Sequence, residues 1–234
     1  MFEGFDRRYV TTSGCKINLV ATGSGAPLLL LHGFPQSHVS WHRVAPLLAP
    51  HFSVVVPDLR GYGDRGKPES DSTHSAYSKR AMAQDQVELM AHLGFERFGV
   101  AGYDRGGRVA HRMALDHPNR VNKVAVLDIM PTRTIYHATK RGIATDYYHS
   151  FFLIQPYDFP ERLIGADPDY FLARTLQGWA AGAPYTRRKP WRNTSAASGI
   201  RPRSMPPVRT TARLPRWTCN MTRPTSITGL NSPC

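Results

Sequence analysis

The stretch Phe98-Gly99-Val100-Ala101-Gly102-Tyr103-Asp104-Arg105-Gly106-Gly107-Arg108 restricts the fold more than any other part of the chain. Its first half is a short apolar run, the pattern of a strand buried on both faces of a parallel sheet. The pattern then changes within two residues, and Gly106, Ala110, Met113 and Ala114 recur at helical spacing. Asp104 stands at the junction, with Gly102 and Gly106 two residues away on either side. A turn this tight leaves no room for side chains against the adjoining strand and helix, so glycine is needed at both positions. The sequence predicts strand, elbow and helix, with a carboxylate at the apex where a nucleophile would sit. The plainer alternative is an aspartate that caps the helix.

A chain of 234 residues with 41% apolar content can bury the core of one α/β domain. No apolar run approaches the ~20 residues of a membrane helix. Residues Met1 to Asp6 lack the basic-then-apolar order of a signal peptide, so no membrane partner is expected. Cys15, Cys219 and Cys234 make no disulfide framework, and a cytoplasmic location is the expectation. The net charge of +13 suggests nucleic acid until it is divided along the chain. All 17 acids lie between Glu3 and Asp169, whereas residues 185–234 carry 10 of the 30 Lys and Arg and no acid. That tail has only Trp191 and Trp217 to stack on bases beyond Tyr185, and no periodic element to present its arginines. No nucleic-acid partner is expected.

Cys15 to Val20 alternates as an early antiparallel strand. Leu28 to Leu31 reads as a buried strand running into His32-Gly33-Phe34-Pro35, either a plain connecting loop or a donor of backbone N–H groups. A short helix over Trp41 to Leu48 and a strand over Phe52 to Asp58 follow, then the turn Arg60-Gly61-Tyr62-Gly63. Ala83, Val87, Met90 and Ala91 mark one face of a helix that stops near Gly94. After the elbow, a helix ends before Pro118 and a strand spans Val124 to Asp128. This alternation predicts a mostly parallel, doubly wound sheet. Beyond Pro131, Tyr147 to Leu153 and Glu161 to Gly178 read as aromatic-rich helices with no strand between them, as a lid would. The expected division is a core over 1–130, a partial helical cap over 131–184 and a basic tail over 185–234. Seven of the last fifty residues are proline. Such a tail cannot bury enough apolar surface to offset the entropy of ordering it.

Taken together, His32-Gly33-Phe34-Pro35-Gln36, Trp41-His42, Asp58 to Gly63, Gly102 to Arg108, Val126 to Ile129 and Gly165 to Asp169 resemble the haloacetate (fluoroacetate) dehalogenases of the α/β-hydrolase superfamily. The resemblance covers roughly residues 1–180 and implies the α/β-hydrolase fold with a helical lid. It makes Asp104 a nucleophile that displaces halide from the α-carbon of a small anionic haloacid. A carboxylate suits this step, since it attacks already ionised, whereas serine would need a base. Arg105 and Arg108, three residues apart on one helix face, would grip the substrate carboxylate. His149 would donate to the departing halide and Asp128 would orient a catalytic histidine. The backbone N–H groups of Phe34 and Arg105 would hold the oxyanion when water attacks the ester. No metal and no cofactor is implied, and a homodimer is left open.

Four positions depart from the family pattern. Tyr103 replaces the histidine before the nucleophile, Arg65 replaces a serine, and Ser150 replaces the tryptophan after His149. Losing that halide donor should weaken defluorination before dechlorination, because fluoride is the poorer leaving group. The fourth is the C-terminus, where the family has further strands and a base histidine. The last of the ten histidines here is His149, and the change of composition near residue 180 reads as a coding region translated out of frame. The expectation is a C-terminally incomplete hydrolase fold whose ester hydrolysis is impaired. Two other readings are an epoxide hydrolase, with Tyr147, Tyr148, Tyr157 or Tyr170 as lid acids, and a non-catalytic protein of the same fold.

Overall fold

The computed structural model describes residues 1–63, 75–137, 140–156 and 158–179. Arg65, Tyr157, the end of the expected cap and the whole of 185–234 lie outside these residues. Six strands run β1 (Asp6–Thr11), β2 (Lys16–Thr22), β3 (Ala26–Leu31), β4 (Phe52–Pro57), β5 (Phe98–Tyr103) and β6 (Val121–Leu127). They form one sheet in the order β1-β2-β4-β3-β5-β6. β1 and β2 join antiparallel and the rest of the sheet, from β4 to β6, is parallel. The expected mostly parallel sheet is therefore present.

The alternation of side chains along each strand splits the core into two layers. Leu29, Leu31, Val55 and Val100 point to one face, where they pack with Met82, Leu89, Met90, Val109 and Met113. Those last residues belong to α2 (Lys79–His92) and α3 (Arg105–Asp116). Leu30, Val54 and Val56 point to the other face and meet Trp41 and Ala45. Helices on both faces are what a run such as Leu28 to Leu31 requires, since it has no polar side to show to water.

Three local expectations are corrected. The helix expected over Trp41 to Leu48 is a 3₁₀ turn, His38–Trp41, and a separate single turn, α1 (Ala45–Leu48). Pro46 falls in the first turn of α1, where its missing N–H costs no helical bond. On α2 the buried face includes Leu89, while Ala91 is exposed. β1 adds a strand where none is expected, because Asp6-Arg7-Arg8-Tyr9 is too polar to read as one; it survives as an edge, where charge is tolerated.

After β6 come α4 (Thr132–His137), α5 (Arg141–Asp146), α6 (Tyr148–Phe152), α7 (Phe159–Ala166) and α8 (Pro168–Trp179). No strand interrupts them among the described residues, as expected for a lid. β6 is the other edge of the described sheet, with Val124, Val126 and Leu127 between 42% and 46% exposed. No helix of the described residues is long and apolar enough to cross a membrane.

Candidate active site

β5 delivers Asp104 at the end of a strand buried between β3 and β6. Asp104 has φ 48° and ψ −119°, and α3 begins at the next residue. Its side chain makes no capping bond, so the helix-cap alternative fails. The two glycines around it are fixed by contact. A Cβ on Gly102 would lie 2.4 Å from the Gly106 carbonyl oxygen, and one on Gly106 would lie 2.4 Å from that of Leu31. The turn thrusts the carboxylate toward the loop after β3, where Oδ1 accepts the Phe34 N–H at 2.7 Å. Gly33 permits this approach, since a Cβ there would come within 2.6 Å of the Asp104 Cβ.

Arg105 and Arg108 open α3, one helical turn apart, and both line the same open cavity as Asp104, Phe34 and His149. About 530 Å³ of space free of protein atoms lies between these residues, open solvent at the mouth included. Lys79, Tyr136, Ser150, Leu153 and Ile154 complete its wall. The core thus supplies the carboxylate and two guanidiniums, and the lid supplies the imidazole. Three cations against one acid favour an anionic guest. The positive end of α3 acts in the same direction.

His149 sits on α6 with the Trp179 ring edge-on at 4.9 Å. Burial pushes its imidazole down to about 4, Arg108 and Arg105 add to this, and Asp104 opposes them. The ring is therefore neutral near pH 7 and retains one N–H to give to an anion. Its Nδ1 is buried without a hydrogen-bond partner among the described residues. Since the folded value lies below the ordinary 6.5, the unfolded chain binds the proton more tightly. Stability is then full above pH 6.5 and falls as the pH drops toward 4, by about 3 kcal/mol at most. Chemical unfolding of His149→Gln across that window should show a shallower fall than the parent chain.

Asp128 is set apart from this group. It follows β6 with φ 48°, is exposed, and is not among the cavity residues. Among the described residues no hydrogen bond or ion pair involves its side chain, and no histidine touches it. Of the tyrosines considered as lid acids, the described ones, Tyr147, Tyr148 and Tyr170, are not among the cavity residues. Tyr170 is 66% exposed, and the Tyr148 hydroxyl bonds Thr175 at 3.0 Å. The tyrosine in the wall is Tyr136, whose hydroxyl donates to the Ser150 carbonyl at 3.0 Å. Neither Tyr136 nor Lys79 stands out in the sequence. A lysine opening an ordinary helix carries no signal, and Tyr136 lies in a segment without a marked period. Trp179, which also packs edge-on against Phe34 at 6.2 Å, could have been found by following the aromatic texture of the lid to its end.

The chain is similar to known proteins. The family model for the alpha/beta hydrolase fold matches residues 26–216. A fluoroacetate dehalogenase from Burkholderia sp is 53% identical over 207 residues, covering 85% of this chain and 68% of its own length. A soluble epoxide hydrolase from Corynebacterium sp. (strain C12) is 39% identical, covering 70% of this chain and 56% of its own length. A crystal structure from Nostoc sp PCC 7120, described as an α/β hydrolase, is 54% identical with a TM-score of 0.80, covering 84% of this chain and 68% of that one. The chain therefore spans between about half and two thirds of these relatives. With the elbow, the sheet order and this similarity in agreement, the chain belongs to the haloacetate (fluoroacetate) dehalogenase family of α/β hydrolases.

Proposed function

We propose that the chain displaces halide from a short 2-haloacid such as haloacetate through an ester on Asp104. The observation that carries this reading is a carboxylate whose Oδ1 is held by the Phe34 N–H, in one cavity with two arginines and a neutral histidine. The free oxygen of Asp104 attacks the α-carbon while Arg105 and Arg108 hold the substrate carboxylate for in-line approach. The carbon–halogen bond breaks and the halide leaves with its electron pair toward His149. Asp104 is then an ester whose carbonyl oxygen faces the amides of Phe34 and Arg105. Asp128 would orient a base for the attack of water, but none of the described histidines accompanies it. The sequence has no histidine after His149. On this reading ester breakdown lags by roughly 10²–10⁴-fold and the ester accumulates.

Epoxide opening is the competing chemistry, and it needs a phenol aimed at the oxygen. Among the described residues, the only tyrosine lining the cavity is Tyr136, already engaged with Ser150, and the paired arginines suit an anion. Incubation with chloroacetate followed by peptide mass spectrometry is expected to find a carboxymethyl group on Asp104. An unmodified Asp104 in a folded sample would overturn the reading. Fluoroacetate should load Asp104 more slowly than chloroacetate, since Ser150 brings no side-chain N–H to the halide; equal rates would remove that role for position 150.

A further inference from the structure

The loop that presents the Phe34 amide is held at both ends by the two residues that follow β4. At the near end, the buried His32 accepts the Leu59 N–H on Nε2 at 2.9 Å. Its Nδ1 therefore carries the proton and donates to the Gly33 carbonyl at 2.9 Å. At the far end, Asp58 Oδ1 accepts both the main-chain N–H and the ring Nδ1–H of His38, each at 2.8 Å. Asp58 Oδ2 takes the Asn18 amide at 2.8 Å, and Asn18 in turn accepts from Arg7 Nε at 2.8 Å. Between the two ends, a Gln36 N–H to Gly33 carbonyl bond of 3.0 Å closes the turn that carries Phe34.

Asp58 is 3% exposed and cannot slacken into solvent. The turn beyond it packs so closely that a Cβ on Gly63 would come within 2.3 Å of Oδ2. Burial opposes its charge, but the bonds from His38 and Asn18 outweigh burial and hold its carboxyl below the ordinary carboxylate range. A buried carboxylate satisfied by three donors is a stiff anchor, since any shift of the loop leaves charge unpaired.

We propose that Asp58 is a positioning residue for the Phe34 amide. Through His38 it fixes the loop 32–38 so that the N–H stands at bonding distance from Asp104 before substrate arrives. The proposal rests on the reading of Asp104 as nucleophile and of Phe34 as oxyanion donor. It predicts a split between the two chemical steps. Charge develops on the oxygen facing Phe34 when the ester is attacked, and not when the ester forms. A loosened loop therefore slows ester breakdown while sparing alkylation.

The test compares Asp58→Asn with the parent chain by two independent readouts. Hydrogen exchange followed by mass spectrometry should show a peptide over 32–38 exchanging at least ~10-fold faster, with a β5 peptide unchanged. Hydroxylamine then cleaves the preformed carboxymethyl ester without help from any protein base. Its nitrogen attacks the carbonyl carbon, the ester C–O bond breaks, glycolate leaves with a proton, and Asp104 becomes the hydroxamate. That cleavage should slow by roughly 10- to 100-fold, while alkylation by chloroacetate stays within ~3-fold. Equal slowing of both steps, or unchanged exchange over 32–38, would overturn the proposal. If Asp58→Asn does not fold, His38→Ala removes the ring donor alone and should give the same split at smaller size. A parent chain that never loads Asp104 would sink the nucleophile reading, and the exchange readout would still decide the role of Asp58.

Discussion

Asp104→Asn is expected to abolish both halide release and carboxymethyl adduct formation, lowering alkylation by ~10⁴-fold or more. The amide is nearly isosteric, and its oxygen can still take the Phe34 N–H that Oδ1 now accepts at 2.7 Å. What it lacks is the second, charged oxygen that attacks carbon in the proposed mechanism. Thermal melting should therefore stay close to that of the parent chain while the chemistry disappears. Halide release measured with an ion-selective electrode, beside intact mass, checks both halves. Release at the parent rate would mean that another group attacks the substrate.

Gly106→Ala should produce the largest loss of stability for the fewest added atoms. The new methyl would meet the Leu31 carbonyl oxygen at 2.4 Å, the His32 carbonyl oxygen at 2.5 Å and the Leu31 carbonyl carbon at 2.6 Å. All three are backbone atoms of the strand and loop beside the elbow, so none can swing aside. Relief requires α3 to lift off β3, at a cost of ~3 kcal/mol, or roughly 10 °C in melting temperature. Gly142→Ala is the matched control. Gly142 lies inside α5 with nothing within 4 Å of the added methyl, and alanine there should stabilise by up to ~1 kcal/mol. Opposite signs for one added methyl, read from two thermal melts, separate crowding from helix propensity; a neutral Gly106→Ala would mean that the elbow is looser than its contacts imply.

How much of this is legible in the sequence depends on how far apart along it the cooperating residues lie. Phe98 to Arg108 holds strand, turn and helix within eleven residues, and each local signal there points the same way. Asp104, Arg105 and Arg108 can be placed from spacing alone, and the structure sets all three on one cavity. His149 is different: a histidine in an aromatic stretch carries no geometric message, and only the resemblance to the family gives it a role. Asp58 belongs to a segment that carries the resemblance, but the anchor it builds for the Phe34 loop cannot be read from the sequence. It joins Asn18, His38 and Asp58, the last two 20 and 40 positions from the first, which become neighbours only when β2 pairs with β4. β1 escapes notice for a related reason, since its residues have poor strand character and are held there by β2.

Two residues other than glycine carry positive φ among those described, and both are aspartates, at 48° each, at the mouths of the adjacent strands β5 and β6. Backbones of this kind cost on the order of 1–3 kcal/mol apiece. A chain shaped for thermal endurance alone would put glycine at Asp104 and Asp128. The fold instead stores strain beneath two carboxylates, and with Asp104 as the proposed nucleophile, any effort to toughen the protein by relaxing the bend after β5 would work directly against that chemistry.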